Sequence, residues 1–464
     1  MAKANLLWRD VRYGAAGLAL GMPTIPLLVH LPAVYAEGLG LGLAATGMAL
    51  FVARALDVIS DPLIGIVSDR LRSPWGRRKP LVLLGAVIAA VGALFLLGPQ
   101  PGVGPGYLAA WAAVLYLGWS LIMIPYQAWG ADLSGDYAGR TQVTAVREGF
   151  MLGGILLAGA VPAVAAALGH GEREALLFVA WAAIAVGAPL FLLLLAGVAE
   201  PRRRDVAADG VSPWQDIAGL GGNRPFRLLL AGWFVNSLAN GIPAVLFILY
   251  MKHVLVADEF MRGVLTLSYF LAGVCGIPIW GWLASRWNKH RAWCAAMALA
   301  CFAFAFAPFL GAGDTAAFLA ICLISGLALG ADLAIPPSMQ ADVAEYEYWR
   351  TGRDRTSLMF GFWSMGTKFA FALSVLIAFP ALEWLGFRTD GPTEGNNVTA
   401  LAVIYAAVPV VLKITTIAML WRHPLTPAKQ AVIRRRLTTL QQRASRPGHH
   451  AAAHIPHDVR APVS

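Results

Sequence analysis

Stretches of about 20 apolar residues, each long enough to cross a bilayer as a helix, recur along this 464-residue chain. Twelve can be read. Their approximate limits are 11–35, 41–67, 80–98, 105–129, 142–168 and 174–198, then 225–252, 260–285, 292–312, 315–341, 357–385 and 400–422. Within hydrocarbon a backbone N–H or C=O must find its partner inside the protein, which leaves helices as the spanning form for runs of this length. Composition agrees, with 58% hydrophobic residues, 13% charged residues and a mean hydropathy of +0.63. Soluble domains carry about 25% charged residues. The expected fold class is therefore an all-α membrane protein of twelve transmembrane helices.

The charges orient the spans. Arg70, Arg72, Arg77, Arg78 and Lys79 follow the second, Arg140 the fourth and Arg202, Arg203 and Arg204 the sixth. Arg286, Lys289 and Arg291 follow the eighth, and Arg350, Arg353 and Arg355 the tenth. The alternate loops are nearly free of Lys and Arg, so the positive-inside rule puts both termini in the cytoplasm. A net charge of +10 distributed in this way does not point to nucleic acid. The start, MAKANLLWRDVRYG, reads as a cytoplasmic amphipathic segment and not as a signal peptide. Cys275, Cys294, Cys301 and Cys322 all lie in apolar runs without metal-ligand spacing, and no disulfide frame is expected.

Residues 199–224 form the one long polar break before the tail, dividing the chain into six spans and six. The halves repeat in sequence. Pro62-Leu-Ile-Gly65 through Arg70 closes span two, and Pro278-Ile-Trp-Gly281 through Arg286 closes span eight. Ile124-Pro125 with Ala131-Asp132 closes span four, and Ile335-Pro336 with Ala341-Asp342 closes span ten. The expected organisation is an N-terminal bundle over 1–198, a cytoplasmic linker over 199–224, a C-terminal bundle over 225–422 and a basic tail over 423–464. In that tail Val432, Ile433, Leu437 and Leu440 define the apolar face of a short helix with Arg434, Arg435 and Arg436 on its polar side, which suits an anionic leaflet. The last 20 residues, with four His, read as disordered.

The stretch RALDVISDPLIGIVSDRLRSPWGRRKP, residues 54–80, carries the chemistry. Asp57 and Asp61 stand four apart, on one helix face inside an apolar run, with Arg54 one turn earlier. An ionisable residue at bilayer depth costs about 2.5–3.5 kcal/mol on insertion scales and is a functional hypothesis by default. Arg54 could neutralise Asp57, but one ion pair leaves the second carboxylate unexplained. Two carboxylates at this spacing can bind Na⁺ with hydroxyl help, or share a proton, because like charges at short range raise one pKa. Both readings stay open at this point.

The run GIVSDRLRSPWGRRKP resembles the signature loop of the major facilitator superfamily. ALDVISDPLIG followed by SPWGRRKP, with MQADVAEYEYWRTGRDR after span ten, resembles more narrowly the glycoside–pentoside–hexuronide:cation symporters. The resemblance covers about residues 13 to 385. It implies two six-helix bundles working by alternating access. It also implies cation coupling at Asp57 and Asp61, with Ser60 and Ser120 as hydroxyl ligands and Lys368 of span eleven near the carboxylates. Arg147 of span five matches a functional arginine. In the sugar permeases of that family, carboxylates on spans one and four hold sugar hydroxyls; the aligned positions here are Gly21 and Met123, a departure that weighs against a galactoside-type substrate. In the signature loop the resemblance implies that Asp69 meets a neighbouring helix end. Arg70, Arg77 and Arg78 would meet acidic residues, Asp132 and Asp342 among them, as a cytoplasmic gate.

Further polar residues at membrane depth complete the expectations. Asp332, in GADLAIPP of span ten, reads as a cavity-facing carboxylate standing in for those missing at Gly21 and Met123. Arg147 is expected to face the cavity while Glu148 pairs elsewhere, since adjacent helical residues do not share a face. Lys413 reads as structural. Trp119 and Tyr126 could stack on a sugar ring, although aromatics in spans are more often packing residues. There is no P-loop, zinc spacing or Ser/His/Asp arrangement, so neither an enzyme nor an ATP-driven pump is expected. The expected protein is a cation-coupled symporter of a small organic solute, with a sugar or glycoside as the family prior, in a bacterial inner membrane. The coupling ion is Na⁺ or H⁺; no cofactor other than Na⁺ in the first case and no obligate protein partner are expected. The alternatives are a lipid or drug carrier of the same fold and a non-transporting receptor or scaffold.

Overall fold

The computed structural model describes residues 2–24, 26–134, 136–201, 212–385 and 396–444. The basic cluster at 202–204 and the four His of the last 20 residues lie outside them. The sequence is so rich in long apolar runs that helix follows helix. In order these are α1 (Ala2–Gly14), α2 (Ala16–Gly21), α3 (Leu31–Ala33), α4 (Leu43–Arg70), α5 (Lys79–Leu97), α6 (Pro105–Leu133), α7 (Tyr137–Ala167) and α8 (Glu172–Gly197). They continue with α9 (Pro213–Leu220), α10 (Arg224–His253), α11 (Glu259–Arg286), α12 (Lys289–Phe304), α13 (Thr315–Thr351), α14 (Thr356–Trp384), α15 (Asn396–Leu420) and α16 (Pro427–Ala444). Among the described residues, nine helices are long and apolar enough to cross a membrane. α4 and α7 have spanning length as well, at 28 and 31 residues, and carry the charged positions of interest.

The first span departs from the continuous helix expected over 11–35. After α2 the backbone passes through a wider turn at Pro26–His30, the single turn α3 and a second wide turn at Val34–Gly38. Pro23, Pro26 and Pro32 each lack the N–H that an α-helix would use; single prolines are carried inside α4, α6 and α10, but here three fall close together and the ladder loses several bonds in one stretch.

The chain divides into two compact units. One comprises Met1–Asp209 with Gly352–Ser364; the other comprises Gly210–Thr351 with Met365–Ser464. The segment 352–364 was expected in the C-terminal bundle; it packs with the first unit because Asp69 and Arg77 hold it there, as described below.

In the first unit α5 and α4 pack on α6, and α2 packs on α7. The α2–α7 crossing is close enough to require glycine on both sides. A Cβ on Gly21 would lie 2.0 Å from the Met151 carbonyl oxygen, and one on Gly154 would lie 1.9 Å from that of Leu18. Small residues let membrane helices approach to backbone contact, where dispersion and not the hydrophobic effect holds them. Beneath this crossing Tyr13 and Tyr126 exchange hydrogen bonds: each hydroxyl donates to the other's backbone carbonyl, at 2.7 and 2.6 Å.

In the second unit α11 packs along α13 and α10 along α15. Its core is an aromatic stack in which Tyr250 lies 4.3 Å from Tyr405 and 5.1 Å from Phe318, and the Tyr250 hydroxyl is satisfied by Ala307 O at 2.6 Å. The later part of the predicted linker is ordered as α9. Ser212 and Gln215 form a reciprocal capping box at its start, and Gly219 O accepts from Arg350 at 3.0 Å. The tail helix α16 also differs from its expectation. Ile433 and Leu437 are buried, Gln430 donates to Glu345 at 2.5 Å and Arg436 lies over Trp349, so these two apolar residues pack within the second unit while Val432 is exposed; the Leu440 side chain lies outside the described residues.

Candidate functional site

The two aspartates of α4 are buried where their spacing puts them, Asp57 at 4% exposure and Asp61 at 0%. Ser120 of α6 donates its hydroxyl to Asp57 Oδ1 at 2.8 Å. Arg54, one turn before, reaches Asp57 Oδ2 at 3.2 Å while its guanidinium lies 4.2 Å over the Tyr116 ring. One oxygen of Asp57 thus meets a neutral donor and the other a cation with an alternative seat on an aromatic face. The Ser60 hydroxyl is turned back on its own helix, donating to Asp57 O at 2.9 Å, and so contributes no bond to either carboxylate in this structure. Lys368 is half-buried on α14, in the second unit.

Past the end of α4 the signature loop is fastened at several points of the first unit. Asp69 accepts the backbone N–H groups of Ser357 and Leu358 at 2.9 and 2.8 Å, capping the start of α14 where its dipole favours a carboxylate. Arg77 donates to Asp354 at 2.5 Å and to Asp69 O at 3.4 Å. Arg78, 1% exposed, donates to Asp132 at 2.5 Å. Arg70 is exposed in the last turn of α4. Of the expected loop contacts, Asp132 is found with Arg78, whereas Asp342 pairs with Lys289 at 2.6 Å in the second unit. The repeat explains this. Lys289 opens α12 as Arg78 precedes α5, and Asp342 stands on α13 as Asp132 does on α6, so each unit closes the same corner with its own ion pair.

Asp332 is 6% exposed and surrounded by donors of the second unit. Trp293 Nε1 donates at 2.5 Å and Asn240 Nδ2 at 2.8 Å, while the Lys413 ammonium lies 3.5 Å away and also donates to Asn236 Oδ1 at 3.0 Å. Asp332, expected to face a cavity, is in this structure a buried carboxylate with its charge compensated: α10, α12, α13 and α15 converge on it.

Several other expectations change with the neighbours. Arg147 and Glu148 form an ion pair with each other, and Arg147 Nε donates at 3.2 Å; long side chains bend round the helix to meet although their Cβ atoms diverge. Tyr126 is fully buried, its ring 4.5 Å from that of Tyr13, which leaves no face for a sugar. Gly21 is occupied by the crossing with α7 and does not line an open site. Met123 is partly buried against the core around Tyr13 and Tyr126. Trp119 borders an apolar cavity of about 320 Å³ with Leu20, Pro23, Ala86, Ile122 and Gly187, which has almost no polar lining.

Three fastenings escaped the sequence reading. Asp354 is the partner of Arg77, Lys289 that of Asp342, and Glu200 accepts the backbone N–H groups of Arg77 and Arg78, both at 3.1 Å. For Lys289 the internal repeat was an available signal. For Glu200 only its place directly after span six could have been one.

Buried carboxylates on a helix of spanning length, a fastened basic loop and a duplicated corner fit a membrane transporter of the major facilitator type. The chain belongs to the MFS/sugar transport protein family, which it matches over residues 12–427. Among curated relatives, the human sodium-dependent lysophosphatidylcholine symporter 1 is 24% identical over 87% of this chain and 80% of its own length. The putative glycoside/cation symporter YagG of Escherichia coli is 22% identical over 92% and 94%. The isoprimeverose transporter of Lactiplantibacillus pentosus is 22% identical over 88% and 87%. Among solved structures, the E. coli fucose:proton symporter FucP aligns with a TM-score of 0.63 at 12% identity, covering 89% of this chain and 98% of that one. A bacterial homologue of the iron transporter ferroportin gives 0.63 at 14%, over 91% and 100%. At such identities the structural likeness speaks for the fold alone.

Proposed function

We propose that the protein is a cation-coupled symporter, moving a small organic solute inward through a bacterial inner membrane by alternating access, with both termini cytoplasmic. The reading rests on Asp57, a carboxylate 4% exposed on a membrane-spanning helix, with a hydroxyl at one oxygen and Arg54 at the other. A charge in that position needs a compensating partner. Arg54, part-exposed and supported by Tyr116, can yield to Na⁺ or to a proton, and Asp61 one turn on supplies a second carboxylate. Hard cations take oxygen ligands, which Asp57, Asp61 and Ser120 offer. Lys368 enters this reading through the family resemblance alone.

Purified protein in detergent should unfold at higher temperature in NaCl than in choline chloride if Na⁺ is the ion. Asp57→Asn or Asp61→Asn should remove the increment. In proteoliposomes either change should abolish uphill uptake while downhill exchange partly survives. Uphill uptake that persists in the double variant, with its normal dependence on the ion gradient, would overturn the assignment.

For the solute, a sugar or glycoside is the first reading, supported by the relatives named for glycosides and isoprimeverose. A lysophospholipid is the second. It is favoured by the relative named for lysophosphatidylcholine and by Gly21 and Met123, which place no carboxylate where the sugar permeases use them. Thermal-shift screens of glycosides and of lysophosphatidylcholine, each with and without Na⁺, separate the two.

A further inference from the structure

We infer that Glu200 is the positioning residue of the signature loop, closing the two amides that lead into the third span and making the chain that leaves span six part of that loop's fastening. The inference rests on the reading of the loop as the transporter's gate.

α5 begins without a local cap. Its N-cap position is Arg78, whose side chain makes no capping bond, and Pro80 stands in its first turn. The first N–H groups of a helix have no partner within it and carry the positive end of its dipole. Glu200, more than a hundred residues away, meets the chain at the N-cap residue and the one before it. Oε1 accepts from Arg77 N and Oε2 from Arg78 N, each at 3.1 Å, so one carboxylate closes both amides. Neighbouring bonds hold the same strand of chain in place. Lys79 Nζ donates to Leu195 O at 2.7 Å and lies over the Trp129 ring, and Trp129 Nε1 donates to Ala199 O at 3.4 Å.

Gly76 shows that the loop is shaped round this carboxylate. Its φ of +112° is a conformation that side-chain-bearing residues rarely adopt, and an added Cβ would lie 2.1 Å from Glu200 Oε2. With the Arg77 and Arg78 backbones pinned by Glu200, their side chains are aimed at Asp354 and Asp132 respectively. Glu200 thus acts on the gate through the two arginines and touches neither the ion nor the solute.

Hydrogen exchange followed by mass spectrometry on the full-length protein tests this. Glu200→Ala should speed exchange of the amides at 77 and 78 on the order of tenfold or more, since a charge-assisted pair of bonds is lost. Glu200→Gln, which keeps one accepting oxygen, should recover part of the protection. Gly76→Ala should loosen the same amides by displacing the carboxylate, and it serves if Glu200→Ala does not fold. Asp69→Asn is the separate test of the gate reading: it should expose the amides of Ser357 and Leu358 while 77 and 78 stay protected. Unchanged protection at 77 and 78 in both Glu200→Ala and Gly76→Ala would overturn the inference. No effect of Asp69→Asn would instead count against the gate.

Discussion

Ser120 donates its hydroxyl hydrogen to Oδ1 of Asp57 across 2.8 Å, joining α6 to α4 inside the first unit. Neither residue is more than 4% exposed, so the bond is shielded from bulk solvent, and the hydroxyl shares the carboxylate with Arg54 on its other oxygen. Removing the hydroxyl takes away one donor to the anion and one oxygen ligand for a bound ion. Such a bond is worth about 0.5–1.5 kcal/mol net, or about 2- to 10-fold in an equilibrium constant. Ser120→Ala should therefore weaken Na⁺ by that factor in a titration of the thermal midpoint, and Ser120→Thr should restore it. A Ser120→Ala protein with unchanged Na⁺ affinity would remove Ser120 from the site.

Asp57 and Asp61 were legible in the sequence because a charge in a spanning run has so few reasons to be there. The contact of a loop arginine with Asp132 was anticipated through the resemblance alone; that the arginine is Arg78 is a finding of the structure. What could not be read depends on neighbours distant in the chain. Tyr126 has an ordinary membrane aromatic's sequence context, and only the packed Tyr13 ring shows that its face is taken. Asp332 looked solitary because Trp293, Asn240 and Lys413 come from three other helices. The broken first span is a different kind of miss. A single proline is no signal in this chain, since α4, α6 and α10 each carry one inside; only the closeness of Pro23, Pro26 and Pro32 sets the first span apart.

Gly21 separates a packing role from a substrate role. A Cβ there would lie 2.0 Å from Met151 O, a backbone atom that cannot move without shifting α7. Gly21→Val should cost at least about 1–3 kcal/mol, the usual range for overpacking. It should appear as loss of folded protein and a lower unfolding midpoint, whatever solute is supplied. Met123→Leu, at a partly buried and volume-conserving position, should cost less than about 1.5 kcal/mol. A stable Gly21→Val protein with altered solute preference would return Gly21 to the cavity.

His423, just beyond α15, gives the second unit a sensitivity to acid. It is 4% exposed, its ring is 6.2 Å from that of His290, and its ring nitrogens make no well-formed hydrogen bond among the described residues. Burial holds its pKa below the ordinary value of 6.5, although the Pro225 and Leu425 carbonyls and the Asp342 carboxylate pull the other way. The sign follows from linkage. Below 6.5 the unfolded chain takes up a proton that the folded one resists, so stability is complete above that pH and declines as pH falls towards the folded value. Thermal midpoints measured from pH 7.5 to 5 should fall on the acid side, and His423→Phe should flatten the decline. An identical pH profile in the variant would show that other groups cause it.

Asp332 and Lys413 provide the sharpest test of where the second unit's charges belong. The ammonium lies 3.5 Å from the carboxylate, both side chains are 8% exposed, and Trp293 and Asn240 complete the carboxylate's shell. A pair this buried contributes little over a neutral one, but either member alone is a buried charge without its counterion, at a cost of about 3–5 kcal/mol. Asp332→Asn and Lys413→Met should each lower the unfolding midpoint and the amount of folded protein. The double variant Asp332→Asn/Lys413→Met should recover most of both, and with them ion-driven uptake, because no uncompensated charge remains. If Asp332 instead held the solute, the double variant would fold yet fail to transport, and the Na⁺-induced stabilisation carried by Asp57 would survive. Uptake in that double variant therefore decides between a compensated structural pair and a solute-binding carboxylate.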